Sequence, residues 1–231
     1  METIIFDVDD TLYDQLLPFK NAVKDKIDDS FSNEEITLLY LKCRKYSDEV
    51  FEKHMSGEIT ASQLQTYRII MACRDFGIEL SENEALAFQE AYLSEQKQIS
   101  LINEIETLFN KLHDSGKQLA VLTNGEHGHQ MMKVKQLGIE KWVPIDRIFV
   151  SGSIGYSKPD LNVFRHIENK LELSKENIIY IGDSFENDVV GAKTAGWQAI
   201  WFNHRRRTVN HTKWQADHVV NNPKDLLAIF Q

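Results

Sequence analysis

The sequence predicts an α/β fold: a Rossmann-like, mostly parallel sheet with helices on both faces, plus an inserted all-helical unit. Three observations carry that expectation. Short β-branched and aromatic runs alternate with helical stretches from residue 100 onward. One such run, Thr3-Ile4-Ile5-Phe6, stands alone at the start and ends in a cluster of acids. Between the two, residues 15–99 show helical spacing and no convincing strand. The expected division is an α/β core (1–14 and 100–231) and a helical insert (15–99).

Thr3 to Phe6 reads as a buried parallel strand with polar function at its carboxyl end. In the insert, Glu34 to His54, Ser62 to Phe76 and Glu82 to Gln96 have helical spacing. Ser81 followed by Glu84 predicts a capping box, and Gly57 and Gly77 fall where helices should stop. Beyond Ser100 a helix reaching His113 ends at Ser115-Gly116, and Gln118 to Thr123 is the second strand. Asn124-Gly125 leads into a helix, and Arg147 to Val150 is the third strand. Leu161 to Leu171 is helical, Asn177 to Ile181 is the fourth strand, and Val189 to Ala195 is a helix ended by Gly196. Gln198 to Phe202 is the fifth strand; a short strand at His218 to Val220 and a helix from Pro223 complete the pattern.

The 231 residues suffice for a substantial core, with 42% hydrophobic and 26% charged residues. A net charge of -9 argues against a nucleic-acid polymer as partner, since its phosphates demand a basic surface. It leaves room for a small phosphorylated molecule, because a metal ion and one lysine can reverse the local field. Cys43 and Cys73 are the only cysteines and form no CxxC pair, which predicts reduced thiols. Met1 leads almost directly into Ile4-Ile5-Phe6-Asp7 without the features of an export signal. No apolar run approaches the roughly 20 residues that span a bilayer. The expected setting is the cytoplasm, away from membranes, with a monomer as the default.

Chemistry concentrates at the strand ends, where open α/β sheets gather ligands. Asp7 and Asp9, two apart, are placed on one side of an extended chain. Two carboxylates in one small volume raise a pKa or recruit a cation, and such a pair divides labour between an ionised member and an acid–base member. Taken alone, the cluster fits a solvated turn or helix cap equally well, and Asp-x-Asp also serves metal-dependent glycosyltransferases. The second strand ends in Thr123-Asn124-Gly125, a set suited to holding phosphoryl oxygens or to capping a helix. After the third strand Lys158 precedes Pro159, where a cation would offset charge on a transferred phosphoryl group. The fourth strand runs into Gly182-Asp183-Ser184-Phe185-Glu186-Asn187-Asp188, an oxygen-rich set of the kind Mg²⁺ prefers. Each feature has a bland alternative as a cap or a solvated loop. Four strand ends in this order make coincidence a poor account.

Asp7-Val8-Asp9-Asp10-Thr11-Leu12 resembles the first motif of the haloacid dehalogenase-like (HAD) superfamily. Leu122-Thr123-Asn124 resembles the second, Lys158-Pro159 the third, and Gly182-Asp183 through Asp188 the fourth. The insert is similar to the helical C1 cap of the phosphoglycolate phosphatase-like branch. The resemblance implies a Mg²⁺-dependent phosphatase acting on a small phosphate monoester of the nucleoside monophosphate or sugar phosphate class. It implies Asp7 as nucleophile through an aspartyl-phosphate, Asp9 as general acid and base, and Lys158 bridging nucleophile and phosphate. Thr123 and Asn124, with Lys158, would hold the phosphoryl group. The metal would be held by Asp7, the Asp9 backbone carbonyl, Asp183 and Asp188. Asp9 also favours phosphoryl transfer over dehalogenation, because a halide leaving group needs no proton.

The resemblance implies a cap that closes over the site, with hinges near Tyr13 to Pro18 and Ser94 to Ser100. Tyr13 could contact substrate or merely pack. Arg44, Lys45, Arg68 and Arg74 are insert cations that could read a second anionic group, although helical surface cations are usually just solvated. Glu126-His127-Gly128-His129 reads as surface or cap rather than metal site, since histidines two apart on a helix diverge. His204-Arg205-Arg206-Arg207 reads as a solvated loop. Alternatives are a phosphomutase with the same motifs and a receiver-type phospho-accepting module. The module's nucleophile follows a later strand, and it carries no helical insert.

Overall fold

The computed structural model describes residues 2–209 and 213–230. The chain forms two compact units, Met1–Asp14 with Ser100–Gln231, and Gln15–Ile99. Strand β1 (Thr3–Phe6), buried at every position, opens the first unit.

The second unit contains α1 (Leu16–Lys26), α2 (Asn33–Met55), α3 (Ala61–Arg74) and α4 (Glu82–Gln96). Ser32, Thr60 and Ser81 begin the last three with reciprocal capping boxes to Glu35, Gln63 and Glu84. Each box satisfies two backbone donors that a helix start leaves open. The expected box at Ser81 is present. Helix α1 packs on α4 and α2 on α3. Phe19 lies at the centre of this core, meeting Tyr40, Phe88 and Tyr92 edge-on at 5.4, 5.4 and 5.8 Å. Cys43 and Cys73 are buried free thiols in the same core. Arg44 and Arg68 are half-buried, not simply solvated. Arg44 donates to Tyr40 Oη and Gln15 Oε1, and Arg68 donates to Gln89 Oε1 at 3.0 Å while lying over the Tyr92 ring.

The first unit continues with α5 (Asn103–Asp114), β2 (Gln118–Thr123), α6 (His127–Gln136), β3 (Ile148–Val150) and α7 (Ser151–Ile154). Helix α8 (Leu161–Leu171), β4 (Ile178–Gly182), α9 (Gly191–Ala195), β5 (Gln198–Phe202), β6 (His218–Val220) and α10 (Pro223–Ile229) complete it. The six strands are all parallel, in the order β3-β2-β1-β4-β5-β6. The chain therefore builds one half of the sheet outward from β1, then returns to build the other. Thr3 stands opposite Gln118 on one side and Ile178 on the other. The reversal lies between β1 and β4, the place where open α/β sheets take ligands at their carboxyl ends.

One helix differs from expectation. The sequence pattern starts it at Val189, whereas a wide π-helical turn already runs from Phe185 to Val190 before α9. The Val189 N–H reaches back five residues to the Ser184 carbonyl, and the Ser184 N–H donates to the Asp188 carboxylate at 2.9 Å. Such turns recur at functional sites. Among the described residues, no helix is long and apolar enough to cross a membrane.

Candidate active site

Asp7 is the first residue beyond β1, and its N–H still bonds the Ile181 carbonyl at 2.9 Å, so sheet geometry fixes its backbone. Asp183 and Asp188 come from the end of β4 and the turn after it. All three are buried, and one carboxylate oxygen of each lies within 4.8 Å of the others. Lys158, on the segment before α8, inserts its ammonium among them, 2.7 Å from Asp7 Oδ1 and 2.7 Å from Asp188 Oδ1. It also donates to Tyr180 Oη at 2.8 Å, and that hydroxyl donates to the Leu122 carbonyl. Thr11 Oγ1 donates to the second oxygen of Asp7 at 3.2 Å.

Burial pushes the Asp7 carboxyl up to about 7; Lys158 pulls against the rise, and Asp188, Asp183 and Asp9 add to it. Burial opposes the charge on Lys158, but Asp188 and Asp7 outweigh it and hold the ammonium above its ordinary value. Three buried carboxylates answered by two cations, Lys158 and Arg207, retain demand for a further one. An oxygen-only donor set of this kind suits a hard divalent ion such as Mg²⁺. Gly182 makes room for the Asp188 carboxylate in this cluster: a Cβ there would sit 2.2 Å from Asp188 Oδ2. The residues present therefore fit the ion.

Thr123, at the end of β2, is 1% exposed, and its hydroxyl has no hydrogen-bond partner among the described residues. A buried unused hydroxyl is costly and marks a place for a polar ligand. Asn124 is placed differently from Thr123. Its amide donates to the Lys158 carbonyl and its oxygen accepts from the Lys158 N–H, so its side chain holds the lysine segment.

Asp9 does not join the carboxylate cluster. Its two oxygens receive Lys133 Nζ at 2.7 and 2.8 Å, Gln130 Nε2 at 2.9 Å and Tyr13 Oη at 2.5 Å. Burial opposes its ionisation, but the Lys133 ammonium and these hydrogen bonds hold it well below the usual carboxylate range. Tyr13 is thereby a buried partner of Asp9. Lys133 and Gln130 escaped sequence reading, because a lysine in a helix reads as surface. The usable signal is their spacing with Val134: positions i, i+3 and i+4 form the inward stripe of α6.

The 204–207 segment is not the solvated loop the sequence suggests. Arg205 donates to both oxygens of Asp10 at 3.0 and 2.7 Å and also pairs with Asp14. His204 Nε2 meets the Asp10 carbonyl at 2.8 Å, and Arg207 bonds both the carbonyl and carboxylate of Asp183. Only Arg206 faces solvent. Buried carboxylates draw these cations inward, an attraction local charge patterning does not display. His127 is exposed, with its Nδ1 2.8 Å from Ser153 Oγ, in keeping with a surface role.

Comparison with known proteins agrees with this architecture. The family model described as haloacid dehalogenase-like hydrolase matches residues 1–196. A glyceraldehyde 3-phosphate phosphatase of Methanothermobacter thermautotrophicus is 25% identical over 235 residues, covering 99% of this chain and 95% of that protein. The pyrimidine 5'-nucleotidase PynA of Streptococcus pneumoniae is 28% identical over 171 residues, 74% of this chain and 70% of PynA. Among solved structures, the HAD-hydrolase YfnB of Bacillus subtilis superposes with a TM-score of 0.74 at 22% identity, covering 99% of this chain and 98% of YfnB. With four strand ends carrying the acids, the hydroxyl and the lysine, and a family match over most of its length, the chain belongs to the haloacid dehalogenase-like hydrolases.

Proposed function

We propose that the protein is a Mg²⁺-dependent phosphatase of small phosphate monoesters, of the nucleoside monophosphate or sugar phosphate class, working through an aspartyl-phosphate on Asp7. The observation that carries this reading is Asp7 itself: a buried carboxylate held by Lys158 and Thr11 beside Asp183 and Asp188, with Asp9 two residues on. An Asp7 oxygen attacks phosphorus and the ester oxygen departs, taking a proton from Asp9. Asp9 then removes a proton from the water that cleaves the acyl phosphate, returning Asp7 and releasing phosphate. Lys158 and the unused Thr123 hydroxyl hold phosphoryl oxygens through these steps. Asp7, Asp183 and Asp188, with the Asp9 carbonyl, would hold Mg²⁺, which when bound offsets repulsion between carboxylate and phosphate.

The relatives support the substrate class without choosing within it. They are named for glyceraldehyde 3-phosphate, for pyrimidine nucleotides and, at 26% identity over 146 residues, for ribulose 1,5-bisphosphate. Fold neighbours include an L-2-haloacid dehalogenase, RSc1362, with a TM-score of 0.78 at 15% identity. Asp9 argues against that chemistry here, because a departing halide has no use for an acid.

The test is hydrolysis of p-nitrophenyl phosphate with Mg²⁺, followed by a panel of nucleoside monophosphates and sugar phosphates. Multiple turnovers that stop on adding EDTA and vanish in Asp7→Asn are expected. Full activity in Asp7→Asn, or a single stable phosphorylation per chain, overturns the reading.

A further inference from the structure

We propose that Lys133, assisted by Gln130 one helical turn earlier, is the positioning residue that aims the Asp9 carboxylate for its proton transfers. The proposal rests on the reading of Asp9 as acid and base given above. Lys133 is 1% exposed and Gln130 3%, on the inward stripe of α6, whereas the Asp9 side chain is 20% exposed. The anchor is therefore dry and the carboxylate keeps an open edge. Each Asp9 oxygen receives two donors: Tyr13 and Lys133 on Oδ1, Gln130 and Lys133 on Oδ2. Such a set blocks rotation of the carboxylate plane.

Packing alone does not call for a lysine at this place. A buried ion pair is expensive to desolvate, and an apolar pair of similar volume is often as stable or more so. The turn before α6 is also shaped around this arrangement. Gln130 Nε2 bonds the Asn124 carbonyl at 3.1 Å, and a Cβ on Gly125 would lie 2.9 Å from that same nitrogen. The bare backbone at Gly125 thus admits the glutamine that supports Asp9.

The test uses the leaving group. In the full-length protein with Mg²⁺, kcat/KM is measured for p-nitrophenyl phosphate and for phenyl phosphate, whose phenolate departs far less readily without a proton. Well-placed general acids contribute on the order of 10²–10⁴-fold. Lys133→Met is expected to lower the phenyl phosphate value at least about tenfold more than the p-nitrophenyl phosphate value, as a partial loss of that contribution. Lys133→Arg should recover part of the difference. In an Asp9→Asn background, Lys133→Met should add almost nothing, since the two act as one unit. Equal losses on both substrates, unchanged kinetics, or full additivity in the double variant overturn the proposal. Asp9→Asn alone separates the two levels. No leaving-group dependence there defeats the reading of Asp9 and this proposal with it. Dependence in Asp9→Asn but not in Lys133→Met defeats this proposal only. Should Lys133→Met not fold, Gln130→Met carries the same comparison, with selective loss in support and equal or absent loss against.

Discussion

Asn124 and Lys158 are joined by a pair of reciprocal hydrogen bonds, amide to carbonyl and N–H to amide oxygen, each 2.9 Å long. The end of β2 thereby sets the backbone from which the buried ammonium reaches Asp7. Asn124→Ala removes both bonds and, at roughly 1 kcal/mol net for each, should cost about 2 kcal/mol. Thermal melts should register the loss. Turnover of p-nitrophenyl phosphate should fall further than stability explains, because Lys158 is no longer aimed. A variant with normal turnover would show that Asn124 does not set the working position of Lys158.

Lys158→Met leaves Asp7 and Asp188 without their shared cation. Breaking a buried ion pair from one side costs roughly 3–5 kcal/mol. Denaturant unfolding should show a loss of that size without divalent ions and a smaller one with excess Mg²⁺. Activity should vanish in both conditions. A melting temperature that ignores Mg²⁺ would argue against a cation at the three carboxylates.

Burial raises Asp7 from its ordinary 3.8 to about 7, so near neutrality its carboxyl is partly protonated in the ion-free protein. A bound cation needs the ionised form, and binding must therefore release a proton in that range. Calorimetric titration with Mg²⁺ in buffers of different ionisation enthalpy should show proton release that grows as pH falls below 7. Affinity should weaken over the same interval, and Asp183→Asn should abolish the heat.

Asp10 has the opposite sign. Burial opposes its charge, but hydrogen bonds from His204 and Arg205 and the Arg205 cation hold it well below 3.8. The folded state binds its proton more weakly than the unfolded chain does. Its contribution is complete above pH 3.8 and is lost as pH falls below that value. Asp10→Asn should lower the melting temperature at pH 7 and flatten its decline below about pH 4. Asp9 shares this sign, so the flattening should be partial. A pH profile parallel to the wild type would remove Asp10 from the acid response.

What the sequence made legible was local. Four consecutive β-branched and aromatic residues ending in acids announce β1, and the Ser81–Glu84 spacing announces the start of α4. Asp7, Thr123 and Asp183 are contiguous with the strands that carry them, so finding the strand finds them, whereas Lys158 follows β3 only after α7 and is found by its place before Pro159. Lys133 and Asp9 are 124 residues apart, and Arg205 and Asp10 195 apart. No period or spacing links such partners, and each cation taken alone is indistinguishable from a solvated one. Tyr180 was hidden differently: its ring belongs to the core around β4, while its hydroxyl accepts from Lys158 and its ring lies under the same ammonium.

The place of β1 in the sheet also governs when the protein can become itself. This strand is made before both strands it pairs with, Thr3 meeting Gln118 and Ile178, so its two neighbours follow only after long intervals of synthesis. Pairings between distant parts of a chain form late and slowly, whereas contacts within 15–99 are available early. A nascent chain that stops short of β4 holds Asp7 on a strand with one flank bare. Asp7 is made before every strand that comes to flank β1, and it acquires its surroundings only once β4 has followed.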